Sequence, residues 1–220
     1  MDRLQFDVAH MFAGGLVLVS FAMLYQERIA ALITVLAAHA FVLGLSVAWQ
    51  AHIQSAPHLY ITAALAIGFK GLVVPIALRR MVVRMGVHRE LETTGGIGVT
   101  MLLGIGLVAL SLQVVLPAAS AADPVAREDI ALALAVVLLG MLIMVTRRNA
   151  VSQVIGFMAL ENGIMLAASG ARGMPLVVEF SVAFSVLIAL FVVAMFLFRI
   201  REQFDTIGLH GLEQHRGERR

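Results

Sequence analysis

The sequence predicts an all-α integral membrane protein with seven transmembrane helices, its N-terminus outside and its C-terminus in the cytoplasm. Three observations carry that reading. The 220-residue chain is 60% hydrophobic and 14% charged, with a mean hydropathy of +0.94; soluble domains are roughly 45–50% apolar and about 25% charged. Seven windows approach or exceed the roughly 20 apolar residues needed to cross the hydrocarbon layer. The arginines are distributed unevenly on the two sides of those windows.

The first span, 8–25, follows MDRLQFDVAH, in which Asp2 and Asp7 outweigh Arg3. A cleaved signal peptide has a positive leading region, so this span is expected to be retained. Gln26, Glu27 and Arg28 separate it from the second span, 29–49. QAHIQSAP, 50–57, has no Lys or Arg and leads to the third span, 58–78. Arg79, Arg80 and Arg84, followed by HREL, close that span. The fourth, 95–116, stops at PAASAADP, and the fifth, 129–146, stops at Arg147–Asn149. The sixth and seventh are 151–169 and 175–198, and a polar tail follows. The alternation with a period of two that a membrane barrel requires is missing, so helices are expected.

Cations mark the cytoplasmic side of a membrane protein. With the N-terminus outside, the inner segments hold every arginine except Arg3, Arg127 and Arg172. The bacterial cytoplasmic membrane is the expected location. The chain has no cysteine, which removes thiolate zinc sites and thiolate-held iron–sulfur clusters. The sequence pI near 9.7 comes from dispersed arginines and offers no clustered basic surface for nucleic acid. Zinc-protease, phosphate-loop and serine-nucleophile motifs are not found. No cofactor is expected.

An ionisable side chain at the bilayer centre costs roughly 2.5–3.5 kcal/mol on insertion scales, and such residues mark ion pathways by default. Glu161 is the first candidate. It lies midway along the sixth span in VIGFMALENGIML, 154–166, with Asn162 beside it. Gly156, Ala159, Gly163 and Ala167 form a small-residue stripe suited to close helix packing, and Glu161 is expected to point away from it. The competing reading is a carboxyl bonded to a neighbouring helix purely for assembly.

Lys70, the only lysine in the chain, is second. Gly68 and Gly71 flank it, and Pro75 lacks the N–H that would complete the helix below it. Snorkelling to the inner face is its competing reading. Glu179, near the start of the seventh span, is either a cap or an entry point for protons. His39, midway along the second span, has a side chain suited to proton transfer, although a helix–helix hydrogen bond is the more ordinary role. His10 and His58 lie near span ends. The glycines of TTGGIGVTMLLGIG, 93–106, sit in an apolar span and are expected to serve packing. Spacing within one chain does not say which of these residues meet.

The segment IALALAVVLLGMLIMVTRRNAVSQVIGFMALENGIMLAAS, 130–169, resembles the K-type membrane subunit of respiratory complex I and the C-type subunit of multisubunit cation/proton antiporters. The shared features are an apolar helix, an Arg-Arg-Asn turn at 147–149, and an Ile-Gly helix with a buried carboxylate. Met158 stands where the K-type pattern has its glutamate, and Glu161 lies about one helical turn further on. Over most of its length, through SAPHLYITAALAIGFKGLVVPIALRRMVVRMGVHRE, ALENG and GMPLVVEFSVAF, the chain resembles the hydrogenase-4 component E family of group 4 nickel–iron hydrogenase complexes.

The resemblance implies a four-helix part over 1–128, a three-helix half-channel part over 129–198 and a cytoplasmic tail over 199–220. It also implies a non-catalytic subunit whose partners are the other membrane and peripheral subunits of a hydrogenase or complex I-like assembly. Glu161, Lys70, Glu179, His39 and Asn162 would then contribute to a lateral proton path. An antiporter subunit with no hydrogenase attached, and a purely structural spacer, are the rival readings.

Overall fold

The structure, a computed structural model, describes residues 3–84, 95–118 and 124–170. All of these fall within one compact unit, Met1–Val182. The described residues form α1 (Arg3–Tyr25), α2 (Ile29–Gln54), α3 (Pro57–Leu65), a π-helical segment (Ala66–Val73), α4 (Val74–Arg84), α5 (Gly96–Ala118), α6 (Pro124–Thr146) and α7 (Ala150–Gly170). Because α3, the π segment and α4 are continuous, six helices among the described residues are long and apolar enough to cross a membrane. The expected seventh span, 175–198, and the tail lie outside the described residues.

The helices extend beyond the windows read from hydropathy. α1 begins at Arg3 and α2 continues to Gln54, because backbone hydrogen bonding persists into polar residues that a hydropathy window excludes. α2 stops where Ser55 adopts a left-handed conformation, φ 51°, and the Ala56 N–H donates to Ala51 O at 3.1 Å. Pro57 opens α3 at a position where its missing N–H costs nothing. At the turn between α6 and α7, the Asn149 side chain accepts from the Val151 N–H at 2.8 Å and caps α7.

The π segment has a visible local cause. Pro75 cannot donate, and Gly68 and Gly71 bring no Cβ to resist the wider coil. The Val74 N–H reaches back five residues to Phe69 O. α2 lies against this stretch at Gly44, where an added Cβ would sit 3.2 Å from Ala63 O and collide with Ile67.

The expected stripe on α7 packs against α6. A Cβ at Gly163 would lie 2.8 Å from Val137 N and 3.0 Å from Ala133 O, and one at Gly156 would lie 2.9 Å from Gly140 O. The two backbones are in near contact. The glycines of 93–106 divide differently. Gly104 meets Phe21, Leu24 and Leu139, whereas Gly98 and Gly106 have open space.

Arg147, counted in the sequence as a cytoplasmic charge, is buried at 1% exposure. Its Nη2 donates to Leu24 O at 2.8 Å and Gln26 O at 2.7 Å. It thereby satisfies carbonyls that α1 leaves open at its C-terminal end and fastens α1 to the α6–α7 turn. Burial lowers its pKa from the ordinary value and nearby Glu27 opposes that; a guanidinium remains a cation throughout.

Backbone contact at Gly163 makes a specific demand. Gly163→Ala is expected to force α6 and α7 apart and destabilise the fold by about 1–3 kcal/mol. Gly106→Ala, which meets nothing within 4 Å, is expected to leave the thermal midpoint in detergent unchanged or higher. Equal midpoints for the two variants would contradict the packing.

Candidate functional site

The polar residues singled out in the middle of the spans come together in one buried row. Lys70, carried by the π segment, lies thirteen residues from either end of its span, Pro57–Val83. Glu161 lies eleven and nine residues from the ends of Ala150–Gly170. Both are therefore at mid-membrane depth if those helices cross a bilayer.

Lys70 Nζ donates to Glu161 Oε1 at 2.8 Å and to Asn162 Oδ1 at 3.1 Å. Asn162 Nδ2 lies 3.0 Å from His39 Nδ1 on α2. His39 Nε2 lies 3.0 Å from Ser20 Oγ on α1. The Ser20 hydroxyl donates to Leu16 O, one turn back on its own helix, at 2.8 Å. Lys70 is 3% and Glu161 4% exposed, and Ser20, His39 and Asn162 are fully enclosed. The row crosses the four elements α7, the π segment, α2 and α1.

Local structure sets each position. The widened coil of the π segment and the close approach of α2 at Gly44 bring Lys70 to the side facing α7. Close packing of Gly156 and Gly163 on α6 leaves Glu161 and Asn162 on the other side of α7, toward Lys70 and His39. The expectation that Glu161 points away from the small-residue stripe agrees with this. Snorkelling of Lys70 is excluded in this structure, because its ammonium ends on a carboxylate. The expected four-helix part supplies Ser20, His39 and Lys70, and the expected half-channel part supplies Glu161 and Asn162.

Arranged this way, the site can exchange a proton. An N–H and a carboxylate oxygen 2.8 Å apart can do so with no intervening water. A proton arriving on Glu161 neutralises it and leaves the Lys70 ammonium held by Asn162 Oδ1. Protonation of Glu161 would change the charge of the site by one and leave this contact to Asn162 in place. Among the described residues no group of three or more His, Cys, Asp or Glu could hold a metal ion.

The other candidates are elsewhere. His10 Nδ1 lies 3.2 Å from Asp129 Oδ1 and 3.9 Å from Glu128 Oε2, in a separate, partly exposed cluster between α1 and α6. The His58 side chain is exposed. Glu179 lies outside the described residues. Ser20 was missed in the sequence because a serine inside an apolar helix ordinarily bonds its own backbone. It does so here and also takes His39.

Comparison with known proteins adds one likeness. An uncharacterized protein of Mycobacterium tuberculosis is 29% identical over 220 residues, covering 98% of this chain and 100% of its own length. No protein-family model matches the chain, and no solved structure matches it.

A buried ion pair that loses one member leaves an uncompensated charge, typically costing about 3–5 kcal/mol. Lys70→Met and Glu161→Met are each expected to lower the thermal midpoint sharply. The double variant is expected to recover much of that loss, since paired apolar side chains leave no charge behind. Additive losses in this double-mutant cycle would show that the two residues do not interact.

Proposed function

We propose that this chain is a membrane-arm subunit of a complex I-like, group 4 nickel–iron hydrogenase assembly, in which Lys70 and Glu161 form a proton-handling centre on a lateral path between subunits. The observation that carries the proposal is the 2.8 Å contact between the two at mid-span depth. Charge at that depth is expensive and is kept where it serves an ion pathway. The π-helical coil around Lys70 adds support, since such segments occur frequently at functional sites.

In this reading the N-terminus faces outward and the arginine-rich segments face the cytoplasm of a bacterial cell. The chain makes and breaks no bonds beyond those to protons. Partner subunits hold the nickel–iron centre and the clusters, and Glu179 is a further contributor to the path that the sequence offers. Redox events in the peripheral arm would act on the pair electrostatically, by favouring or opposing the protonated state of Glu161.

Inverted native-membrane vesicles test the centre. Glu161→Gln keeps the shape and removes the titrating group, so proton uptake is expected to fall severalfold. An unchanged rate, with the variant present at its normal level, would favour the structural-spacer reading. Mass spectrometry of subunits that co-purify with the full chain tests the assembly. A nickel-binding large subunit is expected, and recovery of antiporter-type subunits alone would favour the cation/proton antiporter reading.

A further inference from the structure

We infer that Ser20, His39 and Asn162 form a positioning limb, a one-way row of hydrogen bonds that holds the Asn162 amide oxygen on Lys70 and carries no proton away from it. The inference rests on reading Lys70 and Glu161 as the proton-handling pair. It assigns His39, offered by the sequence as a proton carrier, a different task.

Donor and acceptor counts fix the limb's polarity. A lysine ammonium has three N–H donors and no acceptor, so the Asn162 atom 3.1 Å from Nζ is its oxygen. Asn162 therefore turns its NH₂ toward His39 Nδ1. An NH₂ can only donate there, so Nδ1 carries a lone pair and the imidazole is neutral, with its hydrogen on Nε2. That hydrogen is donated to Ser20 Oγ at 3.0 Å. Ser20 Oγ has lone pairs to receive it, because its single hydrogen is directed at Leu16 O.

Every bond in the row donates in the same direction, from Lys70 toward α1, and only one placement of hydrogens satisfies all of them. Turning the amide of Asn162 would set donor against donor at Lys70 and two lone pairs against each other at His39. Lys70 sets which way the amide of Asn162 faces, and His39, its ring hydrogen taken by Ser20, accepts from the amide N–H and holds it there. When Glu161 takes a proton, the Lys70 ammonium still has a fixed acceptor and stays in place.

The same row stops protons. Passing one through Asn162 would require protonating the amide oxygen and stripping the amide nitrogen. At its far end the row reaches a helix carbonyl, which has no hydrogen to exchange. Any path out of the pair leaves from the side of Glu161 and Lys70 away from α1.

Nitrogen-15 NMR of the full chain in lipid bilayers, with ring-labelled histidine, tests the limb without any transport assay. The His39 signals are those lost in His39→Gln. The expected result is a protonated Nε2 and an unprotonated Nδ1. The opposite tautomer or an imidazolium would overturn the inference, as would an Nε2 signal unmoved by Ser20→Ala.

Proton uptake by inverted native-membrane vesicles gives a second readout. Glutamine has an N–H donor and an oxygen acceptor but does not titrate. His39→Gln is expected to stay close to the wild-type rate while His39→Ala falls severalfold. Equal loss in both would make His39 a carrier, and no loss in His39→Ala would leave it nothing to position. A full rate in Glu161→Gln would instead overturn the proton-path reading, and the tautomer result would still stand or fall independently.

Discussion

The constraint on which the rest depends is that Lys70, near the middle of an apolar span, must face an acceptor inside the protein. A charge in hydrocarbon finds no water to solvate it, so helices must be arranged around it. The coil of the third span widens where Lys70 sits, α2 packs on that coil through Gly44, and α7 presents Glu161 and Asn162. Tight α6–α7 packing through Gly156 and Gly163 puts the glycines of α7 on one side and leaves its polar side facing Lys70. Remove the pair, and the enclosed His39–Asn162 contact loses the charge it is built around.

Charge cost made the central residues legible in the sequence. Glu161 and Lys70 stood out because a charged side chain is costly at mid-span without a partner, and the small-residue stripe at Gly156 and Gly163 correctly marked a packing face. Their contact was not legible, because helical spacing places residues on a face of one helix and says nothing about the neighbour's rotation. The ingredients of the π segment, Gly68, Gly71 and Pro75, were visible. The resulting coil was not, since glycine and proline permit several distortions and packing against α2 selects among them.

Arg147 and Ser20 illustrate two other limits. Arg147 was read as a charge that sets topology, yet it is folded inward onto the carbonyls that end α1. Counting cations identifies a side of the membrane and not a burial. Ser20 carried almost no signal, because a hydroxyl within a helix commonly satisfies itself on the preceding turn. Its second bond, to His39, exists only once α1 and α2 are packed. Helix ends were read short for a simpler reason, that backbone hydrogen bonding continues past the apolar residues.

Because Lys70 is the only lysine, one label reports on the centre of the site. Full-length chain carrying nitrogen-15 at lysine Nζ and carbon-13 at glutamate Cδ, reconstituted in lipid, gives a single amine signal whose dipolar coupling to a carboxyl carbon can be measured directly. The 2.8 Å contact between Nζ and Glu161 Oε1 predicts strong dephasing that disappears in Glu161→Gln carrying the same labels. An amine signal with no carboxyl neighbour, or one whose dephasing survives that substitution, would contradict the account.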